Sequence, residues 1–590
     1  MKIKHLFGLA VIAAMTASCS SNEDLGTAGP GTGTNEAGVG YATFTINLPS
    51  VSGSTTSGAR GTRATDAGGA VVDPGTEDEY KVSDATALIF QKYGADEGSY
   101  KFVESVNLPV TGAWEDAEEG VTKSKKLVAR LTNVDTKNTY GVLVLLNNNI
   151  TGGGVKIALP TAGLSYKEWN DNILNPDLAE LAKTGEFYMA NAPLNKAGKV
   201  TTLVTIDKDK IYSSKEKAEN GTAADVYVER GVAKMTVAAP GTKTVIDKAT
   251  SVSTNSQVTF SNWALDITNK KTFAVHNIDG LSSDFGAIWT TDRFTGINNR
   301  VYWGKDPNYD LAGLKDADTP GDTKRKEEFN FIDATSKIDK DFANTTNTNP
   351  VYCLENTFNL TNMYQGQTTR VIFKAKYDPK DATGASLAGE HGTFYTIGNM
   401  KTILNETKLE TAVNAVANPV LPTGYTIDYT RFKTEEGSHV ITLADIKDAS
   451  GAVLDGATTY NIGTVTKTGD KIVEEINTKL GLKAGRPEEM IGINTYLEGA
   501  TYYIARVKHF DSLTPWSSGE SYGTDNATYL GRYGMLRNNW YELQVGNVYG
   551  PGYPGVPPVD PNQPDDENEK YLSVSVKILS WAKRSSTVDL

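Results

Sequence analysis

The sequence predicts a mostly β protein, built as two tandem antiparallel β-sandwich domains with a few short helices. Three observations lead there. Apolar and polar residues alternate over short segments, at the period of a half-buried strand. Gly, Asn, Asp or Pro bound those segments. The strands far outnumber the helical patterns and do not alternate with them, as they would in a doubly wound parallel sheet. At 590 residues the chain is long enough for two or three cores.

Residues 1–18 read as an export signal. MKIKH is basic, and LFGLAVIAAM is an apolar run too short to span a bilayer. TASC then ends on Cys19 in the manner of a bacterial lipobox, with Thr16 where leucine is usual, which makes Cys19 the expected site of acylation. The next twenty residues are Gly-, Thr- and Ser-rich and cannot bury a core. They lead to YATFTINL, where Ala42, Phe44, Ile46 and Leu48 fall on one face of a strand and Tyr41, Thr43, Thr45 and Asn47 on the other. A Gly/Ser/Thr-rich run follows and carries Arg60 and Arg63, a setting open to an Arg-specific protease.

Further strands are expected at 84–92, 125–134, 139–147, 226–239, 370–378, 501–510 and 538–548, and helices within 165–184, around Pro176, and at 472–482. The polar run 208–225 reads as an inter-domain linker, which divides an N-terminal domain, 64–222, from a C-terminal domain, 223–549. The stretch 305–349 reads as a loop-heavy surface excursion. From 550 to 570 the Pro/Gly/Asp-rich sequence predicts an extended, solvated tether with a reach of about 60 Å at roughly 3.1 Å per residue. Beyond it YLSVSVKI presents Leu572, Val574, Val576 and Ile578 as one apolar face.

Function classes are excluded in turn. A net charge of −13 opposes a phosphate backbone, so no nucleic-acid partner is expected. GESYG (519–523) fits the nucleophile-elbow spacing with Ser521 in the nucleophile position, but its flanks read as loop and no histidine follows it. Asp316, Asp318, Gly321 and Glu327 fall at calcium-loop spacing, yet Pro320 and Lys324 occupy ligand positions, so a solvated acidic loop is the better account. The five histidines are scattered and no C-x-x-C occurs, so no metal or cofactor is expected. Cys353 reads as a small buried residue. No catalytic residues are assigned.

The strands 41–48 and 571–579 are alike in kind, and each is separated from its domain by a flexible or proline-rich run. Loss of the first would leave a groove in the N-terminal domain that the second, from another copy, could fill by strand addition. On pattern alone, pairing of 571–579 within its own C-terminal domain is an equal alternative.

The chain resembles the lipoprotein-derived fimbrillins, or type V pilins, of Gram-negative anaerobes, and among them most closely a minor-fimbrium shaft subunit. The residues that carry the resemblance are TASC, VERGVAKMTV (228–237), VIFKAKYDP (371–379), LRNNWYELQVGNV (536–548) and the tail 572–590. Much of 240–365 matches no family pattern. The resemblance implies transthyretin/Ig-like sandwiches and no enzymatic activity. It implies a palmitate-type acyl anchor at Cys19 in an outer-membrane precursor, cleavage at Arg63–Ala64 or alternatively Arg60–Gly61, and release of a placeholder strand. It further implies donor-strand exchange through the tail into an extracellular fimbrium that supports adhesion and virulence. The implied partners are further copies of the chain, an Arg-specific protease, anchor and tip subunits, and host or bacterial surface ligands. The readings in competition are an anchor or accessory subunit and a surface glycan-binding lipoprotein.

Overall fold

A computed structural model describes residues 33–49, 75–116, 123–148, 154–281, 300–332, 343–344, 350–483, 491–509 and 529–565, apart from the single positions 197, 302, 399, 401 and 558, together with the backbone of 572–580. The fold is mostly β, with 37% strand against 19% helix.

The first sheet contains β1 (Gly40–Asn47), β2 (Ala85–Gln91), β3 (Lys101–Asn107), β4 (Glu115–Asp116), β5 (Lys123–Leu131), β6 (Tyr140–Leu146), β7 (Met189–Asn191), β8 (Val204–Ile206) and β9 (Ala224–Arg230). Its order is β3-β2-β6-β7-β9-β1-β5-β4, with β8 beside β6. Strand β9 changes partner along its length. Ala224–Tyr227 pair with β1 and Val228–Arg230 with β7, so the sheet folds over its own core. That core includes Phe44, Ile46, Ile89, Phe90, Val142, Leu145 and Val226, none of them exposed.

The second sheet contains β10 (Ala233–Ala238), β11 (Thr242–Ile246), β12 (Ser253–Asp266), β13 (Val351–Cys353), β14 (Arg370–Asp378), β15 (Ala500–Arg506), β16 (Asn539–Val548) and β17 (Leu572–Ser580). Its order is β13-β10-β16-β11-β12-β14-β15, with β17 on the free side of β16. Trp263, Phe373, Tyr503, Tyr541 and Leu543 fill this core.

Four features differ from the sequence-based expectation. The segment 226–239 is two strands in different sheets, separated at Gly231–Val232, where the backbone passes so close to the Tyr188 ring that a Cβ would lie 2.9 Å from it. The change of sheet therefore falls at Gly231 and not between 222 and 223. The run 208–225 is packed structure and not a linker: it holds the helix Lys215–Glu219, capped by Ser214, and the start of β9. Not all pairing is antiparallel, since β1 with β9, β10 with β16 and β11 with β16 run parallel. Finally, residues 395–493, between β14 and β15, form a third core of their own around the helices Glu406–Ala417 and Gly469–Leu480.

The other helical expectations resolve simply. Ser165 and Glu168 form a capping box that starts the helix Tyr166–Asn170, and Pro176 separates it from the short helix Leu178–Leu181. The acidic segment at 316–327 is largely the helix Thr319–Glu328 and not a loop. Asp318 caps it at Gly321 N (2.8 Å) and Pro320 occupies its first turn. Among the described residues no helix is long and apolar enough to cross a membrane.

Candidate functional site

β1 occupies an interior slot of the first sheet. Its residues run antiparallel to β5, from Gly40 opposite Leu131 to Asn47 opposite Ser124, and parallel to β9, from Phe44 opposite Ala224 to Asn47 opposite Tyr227. Ala42, Phe44, Ile46 and Leu48 are at most 2% exposed. The outer face is covered as well, which alternation alone did not reveal. The Thr43 hydroxyl donates to Ala218 O at 2.5 Å from the overlying helix, and Tyr41 exchanges two 2.8 Å backbone bonds with Tyr212. Gly40 is required where Ile211 crosses the strand, since a Cβ there would stand 2.6 Å from the isoleucine methyl.

β17 pairs with its own subunit. It runs antiparallel to β16, with Tyr541 opposite Ile578, Leu543 opposite Val576, Val545 opposite Val574 and Val548 opposite Leu572. This is the within-domain pairing that the sequence pattern left open, and among the described residues β17 has one paired neighbour, β16.

The expected solvated tether is instead a docked strap over 550–565. Tyr553 exchanges backbone bonds with Tyr502 at 2.9 and 2.8 Å, and Tyr496 and Tyr503 donate to the carbonyls of Gly552 and Gly550. Arg370 donates to Pro557 O at 2.5 Å, and Asp565, fully buried, accepts from Thr368 at 3.1 Å. Proline removes N–H groups but keeps carbonyls, so donors from the surrounding side chains add to the few backbone bonds that fix such a segment. Its prolines and aspartates suggested solvation, but Tyr553 and Asp565 are held by partners far away in the sequence.

The motifs VERGVAK and LRNNWYE meet where the two sheets join. Asn538 adopts a left-handed conformation (φ 58°), and its Oδ1 accepts from Arg230 N at 3.1 Å. Arg230 Nε donates to Glu79 O at 2.6 Å, and Lys234 Nζ lies 2.7 Å from the Glu79 carboxylate. Tyr352 OH donates to the same carboxylate at 2.5 Å. Burial pushes the Glu79 carboxyl up, but Lys234, Tyr352 and Arg230 outweigh it and hold the group below its ordinary range. Glu229 pairs with His276 Nδ1 at 2.8 Å, and Arg537 with Glu355 at 3.0 Å. The contacts of Glu79 were not legible as a constellation, because Arg230 and Lys234 lie 151 and 155 residues from it and Tyr352 273.

Of the remaining residues singled out from the sequence, Cys353 is buried, and burial alone pushes its thiol up to about 12, so it is inert at neutral pH. Among the described residues no group of three or more His, Cys, Asp or Glu is placed to hold a metal ion. Cys19, Arg60, Gly61, Arg63, Ala64 and Ser521 lie outside the described residues.

Residues 494–587, which include β15, β16, the strap and β17, match the family described as major fimbrial subunit protein type IV, fimbrillin, C-terminal. This part of the chain is similar to the C-terminal part of fimbrillins. No curated protein matches the chain. Among solved structures, a fimbrial assembly protein from Parabacteroides distasonis is 10% identical with a TM-score of 0.27, covering 60% of this chain and 89% of its own. The C-terminally truncated tip fimbrial protein Mfa3 from Porphyromonas gingivalis is 8% identical with a TM-score of 0.29, covering 92% of this chain and all of its own. Superpositions this loose carry no argument about arrangement.

Proposed function

We propose that the chain is a non-catalytic structural subunit of an extracellular fimbria, a shaft subunit of the minor-fimbrium kind, matured from an outer-membrane lipoprotein acylated at Cys19. Cleavage at Arg63–Ala64, or at Arg60–Gly61, frees β1. The tail strand of a neighbouring copy then takes its place. The fimbrillin match over 494–587 supports the family, and one structural observation carries the mechanism: β1 lies between two strands of one sheet with a run of apolar side chains in the core. Its loss exposes two sheet edges at once and removes Phe44, Ile46 and Leu48, each contributing about 1.5–3 kcal/mol when buried, together with the smaller Ala42.

The position of β17 supports the donor role. Among the described residues of its own subunit it has one paired neighbour, whereas the vacated slot offers two, β5 and β9. Transfer to a neighbour therefore gains a second ladder of backbone bonds at about 0.5–1.5 kcal/mol each. Donor and slot lie in different sheets of one chain, so the contact is heterologous and propagates as a filament.

The test is limited proteolysis of the purified precursor with trypsin. The N-terminus is expected to shift to 61 or 64, and the product to form laddered oligomers that resist mild denaturant. A chain lacking residues 571–590 is expected to be cleaved but to remain monomeric. A ladder from that truncated chain would refute the donor assignment.

A further inference from the structure

The slot that β1 fills has a ceiling as well as a floor. Residues 211–221 cross its outer face, with Ile211 over Gly40, Tyr212 bonded to the backbone of Tyr41, and the helix Lys215–Glu219 over Thr43. This ceiling has anchors of its own. Ser214 accepts from Lys217 N at 3.3 Å, Tyr212 OH accepts from Thr222 N at 2.9 Å, and Lys126 of β5 donates to Glu219 O and Gly221 O at 2.7 and 3.2 Å. None of these bonds involves β1, so its loss breaks none of them.

A strand that enters the slot meets two demands from above. At position 43 the space under Ala218 O fits a small hydroxyl side chain, as the 2.5 Å bond from Thr43 and its 2% exposure show. At position 40 no Cβ fits, because it would lie 2.6 Å from a methyl of Ile211, itself fully buried. The floor asks less. It needs alternate apolar residues, and Leu572, Val574, Val576 and Ile578 supply them in any register of the right parity. The floor does not choose a register, and the ceiling does.

The small hydroxyl residues between those apolar ones are Ser573 and Ser575. With Ser575 at position 43 and the direction of β1, Leu572 falls at position 40, beneath Ile211. Lys577 then falls at position 45, opposite Lys126, where like charges repel. In the reverse direction, Ser573 at position 43 brings Val576 to position 40, and Ser575 brings Ile578 there. Only Ser573 at position 43, in the direction of β1, keeps every residue of β17 clear of Ile211. Lys577 then replaces Asn47, on the diagonal from Asp225 of β9, an opposite charge.

We propose that Ile211 and Ala218 set the register of the incoming strand, so that Leu572–Ile578 of a second copy replace Ala42–Leu48 one for one, with Ser573 beneath the helix Lys215–Glu219. This rests on the strand exchange proposed above and specifies how one copy is read by the next.

The test is disulfide trapping in the full-length chain after trypsin treatment. Asn47 stands opposite Ser124 of β5, so a cysteine at 124 reports which tail residue reaches position 47. Three chains carry Ser124→Cys together with Ser575→Cys, Lys577→Cys or Leu579→Cys. Oxidation is expected to make the ladder survive full denaturant under non-reducing conditions with Lys577→Cys alone. Cross-linking through 575 or 579 instead, or through none of the three, would overturn the register while the exchange stands. No ladder from the parent chain would refute the exchange, and the register with it. A second measurement reads the ceiling directly. Ser573→Leu is expected to slow ladder formation about tenfold, because the larger side chain must displace the helix, whereas Ser575→Leu, at the half-exposed position 45, should change it less than about twofold. An equal or larger effect at 575 would remove the ceiling from its role.

Discussion

Glu79 is 2% exposed, yet it carries a charge at neutral pH, and the reason is the company it keeps. Lys234 Nζ stands 2.7 and 3.0 Å from its two oxygens, Tyr352 donates at 2.5 Å and the Thr76 amide at 2.8 Å, so every lone pair that burial strips of water is re-bonded. The other side of Lys234 lies over the Trp540 ring, 3.9 Å from its centroid. Glu79→Gln is expected to destabilise the chain by about 3–5 kcal/mol, because it leaves a buried lysine without its counter-charge. The pH dependence follows from the sign of the shift. A carboxyl held below its ordinary value stabilises fully above the unfolded value of 4.5 and loses that contribution as pH falls through the folded value. The gap in melting temperature between the parent and Glu79→Gln should be constant from pH 6 to 8 and close below pH 4.5. A gap that widened on acidification would show that the carboxylate is not the stabilising form. The same contacts give Glu79 a consequence for maturation. It lies fifteen residues past Ala64, so under the proposed cleavage the mature chain keeps this contact at the junction of the two sheets.

Among elements, β1 offers the most discriminating measurement. Phe44→Ala empties a fully buried position in the first core and is expected to cost the precursor about 3–5 kcal/mol. If β1 is discarded on maturation, the same substitution should leave the melting of the processed, assembled material unchanged. A persistent loss after processing would mean that β1 stays in place. The strands were the most legible part of the molecule. ATALIF, VLVLL and WYELQV are bounded by turn residues, and the structure places strands over each, at 85–91, 140–146 and 539–548. What escaped was anything decided by tertiary contact. Residues 226–239 look like one strand until Tyr188 fills the space beside Gly231, and 208–225 looks like a linker until its helix is seen packed over Thr43 with Ala218 buried. The helix Glu406–Ala417 carried local signals, an Asn405 cap and a Leu409–Val413–Ala417 stripe, that the dominance of strands around it obscured. For the candidate site, both strands were legible as matched alternating segments. Their pairing partners were not, because register depends on edges that alternation does not identify.

For the whole molecule, the strap sets the geometry of any exchange. Because 550–565 is docked, only residues 566–571 separate the fixed Asp565 from β17, a reach of about 20 Å at roughly 3.3 Å per residue and not the 60 Å of a free tether. A neighbour must therefore present its slot close beside the strap, which favours a stiff, closely spaced filament over a loosely linked chain. Under the proposed assembly β17 must also leave β16, and this makes the exchange testable without truncation. Gln544 is exposed and stands opposite Ser575 in the register, so a chain carrying Gln544→Cys and Ser575→Cys can be oxidised to tie β17 to its own sheet. Cys353 is buried and does not compete for the new thiols. After trypsin treatment the oxidised chain is expected to lose β1 and remain monomeric, and the addition of reductant should then start the ladder within the same sample. Gel electrophoresis under mild denaturant reads both states. If the oxidised, cleaved chain polymerises as fast as the reduced one, the vacated slot is being filled by something other than β17. If neither form polymerises while the single variants do, the substitutions themselves have disturbed the strand, and Glu542→Cys with Lys577→Cys, the next pair on the same face, repeats the trap one step along.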